Sequence, residues 1–429
     1  MNLDPQSEHS KIDGTLRERD SLVLPVVPKR FQSGIPEKNR DSILARLEKD
    51  PSNPSQLAAE THIHGPLLVL SGAGTGKTRV VTKRACRLIA EGVRPSRILL
   101  TTFTNKAADE MDERIDKFLA NDVVARPKIM TLHALGKWIL EEHAQELRYS
   151  KGFEILDDME LDEFLEDALR KVHPEELKAL GSKRTEGLRD VISKFKGTLV
   201  HPGDAEGPFA EAYKHYQREL RRVGALDTDD LIRLPCRLFL DRQFPVEILE
   251  QWQRKFDFVM CDEYQDTDPA QFTLLKLLSQ SHRNFCAVGD DDQSIYGWRG
   301  SQVALIRNFE KDWDNSKQVK LELNYRSTQP ILDHANTLMQ HEQGRSLKRL
   351  TAFREGGVSP SVIVHRNHVD EAHWIKNEIS QLIAGGHAPS DITVLVRSRK
   401  IAKPILKVLK AEGIPFEDRL KDKVRFGDE

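Results

Sequence analysis

Lys77 and Thr78 close the stretch Leu67-Leu68-Val69-Leu70-Ser71-Gly72-Ala73-Gly74-Thr75-Gly76-Lys77-Thr78, where an apolar run breaks into three closely spaced glycines. The pattern is a phosphate cradle. Glycine lets the backbone turn tightly with its N–H groups inward, and the helix that follows offers its N-terminus to the same anion. In such a cradle Lys77 reaches the β- and γ-phosphates and Thr78 ligates Mg²⁺. Ser71 stands where the strict G-x-x-x-x-G-K-[ST] pattern asks for glycine. A phosphate site also needs a metal-holding carboxylate and a base, and Asp262-Glu263 supplies both at the end of a second apolar run. Asp262 suits holding Mg²⁺ through water, and Glu263 suits orienting or deprotonating the attacking water. A third run ends in Gly289-Asp290-Asp291-Asp292-Gln293, where the Gln293 amide is placed to sense a γ-phosphate. Just beyond it, Tyr296, Trp298 and Arg299 set two aromatics and a cation within four positions. That interleaving suits stacking on unpaired bases, each stack contributing roughly 1–3 kcal/mol.

These residues sit at the ends of apolar runs that alternate with helical periodicity. Residues 67–70 precede a helix with Val80, Val81, Ala85, Leu88 and Ile89, and residues 98–103 precede one with Ala107, Ala108, Met111, Ile115 and Phe118. A third unit, residues 128–132, leads into His133 and a helix with Leu135, Trp138 and Ile139. Repeated strand, loop and helix predict an α/β fold with a parallel sheet, which binds ligands at the C-terminal ends of its strands. Between 137 and 224 the alternation gives way to amphipathic helical spacing, predicting a helical insertion. Strands resume at 256–261 and 284–288. Further apolar runs at 319–323, 361–365 and 392–396 predict a second α/β lobe. Residues 1–48 are polar and read as a flexible leader with one short helical pattern at 41–47; Asn53-Pro54 then marks a turn and a helix start.

Composition narrows the function classes. Lys and Arg number 65 against 67 Asp and Glu, a net charge of −2, so a nucleic-acid site has to be local rather than a property of bulk charge. The four cysteines, Cys86, Cys236, Cys261 and Cys286, are far apart with no C-x-x-C, which points to a reducing compartment and no structural metal. No apolar run approaches the roughly 18 residues of a membrane span.

The ordered set Gln56, SGAGTGKTR at 71–79, TFTNKAADEM at 102–111, residues 131–133, residues 227–231, DEYQDTD at 262–268, VGDDDQSIYGWRG at 288–300 and LNYRS at 323–327 resembles the motifs of the UvrD/Rep-type superfamily 1 DNA helicases. The resemblance runs from about residue 50 to 417. It implies RecA-like P-loop NTPase lobes: a first lobe from 49–136 and 225–316, the insertion at 137–224, and a partial second lobe at 317–429. It implies ATP and Mg²⁺, with Gln56 reading the adenine edge, Arg79 and Tyr325 sandwiching its ring, and Ser71, Gly72, Ala73, Gly74, Thr75 and Gly76 lining the phosphates beside Lys77 and Thr78. Gln293 and Arg326 would contact the γ-phosphate. Phe103, Asn105, Lys106, His133, Tyr296 and Trp298 would line a track for single-stranded DNA, or DNA with a 3′ single-stranded tail. In this family hydrolysis opens and closes a cleft between lobes and moves the protein 3′ to 5′ along a strand in DNA repair or recombination.

Departures within the matched part are small: Ser71 where Ala or Gly is usual, Cys261 where a small apolar residue is usual, and Tyr264 where Phe is common. Two segments of the family's C-terminal part, T-V-H-x-x-K-G-L-E-like and an arginine-bearing T-R-A-like one, have no counterpart here. The expectation is therefore a chain that binds ATP·Mg²⁺ and single-stranded DNA but hydrolyses slowly and does not unwind. A non-enzymatic regulatory short form, and an RNA translocase or nucleotide switch, are the alternatives. The long leader points to a nuclear protein, with the cytoplasm as the compartment if the source is bacterial.

Overall fold

The apolar runs assemble by parallel pairing. A computed structural model describes residues 35–150 and 152–418. In chain order the strands are β1 (Leu67–Ser71), β2 (Ile98–Thr102), β3 (Lys128–Thr131), β4 (Glu154–Ile155), β5 (Ala225–Leu226), β6 (Phe258–Cys261), β7 (Phe285–Gly289), β8 (Lys317–Leu321), β9 (Leu323–Thr328) and β10 (Thr351–Arg354). One parallel sheet runs in the order β3-β2-β6-β7-β1-β8. β1, β2, β6 and β7 are buried along their whole length, as strands covered on both faces are. Successive residues feed opposite faces. Leu68, Leu70, Leu99, Val259 and Phe285 enter one core, whereas Leu67, Val69, Ile98, Phe258 and Cys286 enter the other. The fold is the α/β arrangement with a parallel sheet that the alternation implied, and it is consistent with the RecA-like lobe that the resemblance implied.

Several boundaries differ from the sequence expectation. Residues 317–321, expected to open a second lobe, are β8, paired with β1 from Leu67↔Lys317 to Ser71↔Leu321. Val319 and Leu321 drive this by burying their side chains in the same core as Val69. The helical pattern expected at 41–47 lies in a longer helix, Glu37–Lys49, which is packed rather than part of a flexible leader because Ile43 and Leu47 share one face and are buried; residues 1–34 lie outside the described residues. Residues 361–365 and 392–396 form no strand. A strand needs a hydrogen-bonded neighbour, and these segments have no partner strand among the described residues. Val362, Val364 and Leu395 are exposed, and Ile392 and Val396 pack instead on the helices His368–Ala384 and Arg399–Ala411. These helices belong to a unit, Val358–Glu429, separate from Met1–Gly357. Among the described residues no helix is long and apolar enough to cross a membrane.

The insertion has its own core, built by the helices Asp158–Leu169, Arg184–Gly197 and Ala210–Val223. It leaves and re-enters the first lobe through the short parallel pair β4 and β5. Its root is ionic. Lys196, fully buried, lies 2.6 Å from Asp227 and 3.0 Å from Asp230. Arg233 forks onto Asp230 through Nε at 3.0 Å and Nη2 at 2.8 Å, and the Tyr216 hydroxyl donates to Asp227 at 2.9 Å. Burial alone would raise the Asp230 carboxyl, but the charges of Lys196 and Arg233 outweigh it and hold the group below the carboxylate range. Removing one partner of such a cluster leaves buried charge uncompensated, so Lys196→Met is expected to destabilise the fold by roughly 3–5 kcal/mol in urea titration. A loss below about 1 kcal/mol would mean the cluster is solvated.

Candidate active site

The cradle follows β1 and is tied down at both ends. The Ser71 hydroxyl, buried at the strand's end, donates to the Gly289 carbonyl on β7 at 3.0 Å. The Thr75 hydroxyl donates to the Gly72 carbonyl at 2.9 Å across the turn. Gly74 and Gly76 have φ of +71° and +89°, a region in which a Cβ is strained. Gly76 precedes the helix Lys77–Ala90, which aims its first N–H groups at the loop.

β6 delivers the carboxylates to the same place. The Thr78 hydroxyl donates to Asp262 Oδ2 at 3.1 Å, and Lys77 Nζ lies 3.1 Å from Glu263 Oε2. Burial, reinforced by the Glu263 charge, pushes Asp262 up to about 6 against the pull of Lys77 and the Thr78 hydroxyl. Glu263 adopts φ +53°, a left-handed backbone rare for a residue with a side chain and found where a turn is over-determined by its surroundings. Gln265 then bridges two strands: its Nε2 donates to Glu263 Oε2 at 2.8 Å, and its Oε1 accepts from the Asp290 N–H at 2.9 Å.

At the other end of the cradle, Asn53 and Gln56 form a capping box at the start of the helix Pro54–Glu60. Gln56 is buried and donates to the Thr75 carbonyl at 2.9 Å while accepting from Arg79 Nη1 at 3.1 Å. Tyr325 reaches the same turn, its hydroxyl accepting from Asn53 Nδ2 at 2.9 Å. Gln56, Arg79 and Tyr325 are thus gathered around one short turn. Strand β9 lies against the cradle itself, with the Tyr325 N–H donating to the Gly74 carbonyl at 2.9 Å and Asn324 Nδ2 to the Ala73 carbonyl at 2.5 Å. A Cβ built on Gly74 would stand 2.7 Å from the Arg326 Cβ, which places Arg326 over the loop. Gln293 is held by its amide, which donates to Asp290 Oδ2.

The expected nucleic-acid residues divide into two sets. Phe103 after β2 and Tyr296 after β7 stack with centroids 5.1 Å apart, Trp298 lies 6.3 Å from Tyr296, and the Arg299 guanidinium is within 5.9 Å of all three rings. Trp298 is 71% exposed. His133 shares the neighbourhood: burial, together with the Arg299 charge, lowers it to about 4, so the ring is neutral. Asn105 and Lys106 begin the helix Asn105–Leu119 and are exposed, capped by the Thr104 hydroxyl. They are not part of the ring cluster. Gln265 and Asn324 act at the site although neither stood out as a candidate; Gln265 sits within DEYQDTD and Asn324 within LNYRS, but an amide alone carries no signal of its partner.

Residues 52–314 match the family model described as UvrD/REP helicase N-terminal domain. The chain belongs to the UvrD/REP helicase family. A second model, UvrD-like helicase C-terminal domain, matches residues 319–426. This corrects the expectation that the family's C-terminal part is missing, which was the ground for expecting slow hydrolysis. The chain is 39% identical over 376 residues to an ATP-dependent DNA helicase PcrA of Leuconostoc citreum, covering 85% of this chain and 49% of that protein. It is 37% identical over 375 residues to the protein of that name from a Staphylococcus epidermidis strain and 36% identical to that of a Staphylococcus aureus strain, each match covering 85% of this chain and 50% of the relative. The chain spans about half the length of the curated relatives it matches. These are bacterial proteins, and they give the expected nuclear location no support.

Gly74→Ala combines a left-handed φ with a clash against Arg326, and chemical denaturation is expected to show a loss of about 1–3 kcal/mol. Ala73→Gly, which demands no special backbone, should change stability by about 1 kcal/mol or less.

Proposed function

We propose that the chain carries the ATP-hydrolysing motor of a DNA helicase that steps 3′ to 5′ along single-stranded DNA and unwinds DNA bearing a 3′ single-stranded tail, in repair or recombination. One observation supports this most: a single loop after β7 begins at Asp290–Gln293 on the phosphate side and ends in the exposed ring cluster of Tyr296, Trp298 and Arg299. The domain reading that goes with it has a first lobe of residues 49–136 and 225–321, the insertion at 137–224, and a second lobe beyond. The bacterial source of the relatives favours the cytoplasm.

The donor set suits a hard cation with oxygen ligands, since the Thr78 hydroxyl and the Asp262 carboxylate adjoin. Mg²⁺ held there would offset negative charge on the phosphates of ATP. Backbone N–H groups of the cradle and the helix N-terminus hold the triphosphate. Lys77, which pairs with Glu263, exchanges that carboxylate for the β- and γ-phosphates. Glu263 is thereby released to orient water and accept its proton, with Gln265 keeping it in place. Gln56 reads the adenine edge, and Arg79 and Tyr325 enclose the ring. Gln293 and Arg326 meet the γ-phosphate, so its presence is felt by the loop that carries Tyr296 and Trp298. Bases stack on Phe103, Tyr296 and Trp298 while Asn105, Lys106 and neutral His133 contact the strand.

Steady-state phosphate release by the 429-residue chain, with and without single-stranded oligonucleotides, tests the reading. Stimulation of several-fold by DNA and less by RNA is expected; no hydrolysis in either case would overturn it. Glu263→Gln should keep nucleotide affinity and lower turnover by about 10²–10⁴. Trp298→Ala should weaken single-stranded DNA binding by about 1–3 kcal/mol, read by fluorescence anisotropy.

A further inference from the structure

Three consecutive carboxylates, Asp290, Asp291 and Asp292, occupy the loop that also bears Gln293, and oxygens from all three lie close enough to share one cation. A side chain already stands there. Lys348 is buried with Nζ 2.6 Å from Asp290, 2.5 Å from Asp291 and 3.1 Å from Asp292. Arg345 forks onto Asp292 through Nε at 2.9 Å and Nη2 at 2.5 Å. The Ser346 N–H donates to Asp291 at 2.7 Å, and Arg307 approaches the same carboxylate at 3.5 Å. Lys348 and Arg345 thus carry most of the balance, with Arg307 shared between Asp291 and Glu342. Burial opposes the charge on Lys348, yet the Asp290 and Asp291 carboxylates more than offset it and raise the ammonium above its ordinary range.

The segment bearing these cations continues across the cradle. Leu350 covers the loop so closely that a Cβ on Gly72 would stand 2.1 Å from its Cδ2. β10 then pairs in parallel with β9, the strand of Tyr325 and Arg326, and Phe353 packs 5.0 Å from the Tyr325 ring. Within ten residues, one stretch of chain touches the phosphate loop, the Gln293 loop and the strand that carries Tyr325 and Arg326. Asp290 is the junction on the Gln293 side: it accepts from Gln293, from the Asp292 N–H at 3.1 Å and from Lys348, while its own N–H donates to Gln265.

We propose that residues 345–354 form a positioning strap across the nucleotide site, and that Lys348 is the positioning residue that fixes Asp290 and through it sets Gln293 for the terminal phosphate. Without Lys348, Arg345 still pairs with Asp292 and Arg307 with Asp291, but Asp290 loses its cation and is repelled by its two neighbours. Asp290 then loses the geometry in which it holds the Gln293 amide. The consequence is selective: contacts to the α- and β-phosphates come from the cradle and Lys77 and do not pass through Lys348, whereas a contact to the γ-phosphate through Gln293 does. The nucleotide consequence rests on the function proposed above; the strap itself does not.

Two measurements on the full chain separate these. Hydrogen exchange in the nucleotide-free protein is expected to quicken in Lys348→Met over residues 290–299 and 345–350 but not over 258–262, with Lys348→Arg restoring protection at least in part. Unchanged exchange at 290–299 would overturn the strap whether or not nucleotide binds. With Mg²⁺ present, Lys348→Met is expected to weaken binding of a non-hydrolysable ATP analogue by about tenfold while leaving ADP affinity unaltered, and to add nothing further in a Gln293→Ala background. Equal weakening of analogue and ADP, or an intact preference for the analogue, would overturn the positioning role. A wild-type chain with no preference for the analogue over ADP would overturn the proposed function instead, and the exchange result would still decide the strap.

Discussion

The ion pair between Lys77 and Glu263, 3.1 Å long, is the interaction on which the arrangement of the site depends. It joins the loop after β1 to the loop after β6, and the Thr78 contact to Asp262 makes the same connection one residue further along each loop. An ammonium aimed into a cradle of backbone N–H groups would otherwise be surrounded by like partial charge. Glu263 relieves that repulsion and is held by Lys77 in return. In the proposed reaction a triphosphate competes for Lys77 and leaves the carboxylate free beside its terminal phosphate. In that reaction binding and readiness for hydrolysis are one exchange of partners.

Two other charge clusters do different work with similar chemistry. Lys196 with Asp227, Asp230 and Arg233 roots the helical insertion in the first lobe, remote in sequence from the phosphate loop. Lys348 with Asp290, Asp291 and Asp292 lies one hydrogen-bonded residue, Gln265, away from Glu263. Both bury an ammonium among carboxylates, so each is sensitive to loss of a single partner. Only the second is connected to the residue that meets the γ-phosphate in the proposed reaction. A glycine makes that connection possible, since a Cβ on Gly289 would stand 2.6 Å from Gln265 Oε1.

Much of this was legible in the sequence because it depends on local pattern. The glycine spacing at 72–76, the apolar runs of β1, β2, β6 and β7 and the aromatic run at 296–298 each show their pattern within a few residues. Two kinds of feature were not legible. Edge membership is decided by what lies beside a strand, so residues 317–321 read as the start of something new although Val319 and Leu321 complete an existing core; residues 361–365 and 392–396 read as strands although no ladder forms there among the described residues. Long-range ion pairs are equally silent. Lys348 and Arg345 lie in a polar stretch after a helix, and nothing local distinguishes them from solvated surface.

The central claim is that one loop reports the γ-phosphate to the rings that hold the nucleic acid. Linkage makes such coupling reciprocal and measurable as a ratio of affinities. The most direct measurement is the affinity of the 429-residue chain for a labelled oligo-dT, by anisotropy, with Mg²⁺ and either a non-hydrolysable ATP analogue or ADP. The account predicts affinities that differ by about 5-fold or more between the two nucleotides. Equal affinities with both nucleotides bound to saturation would contradict it.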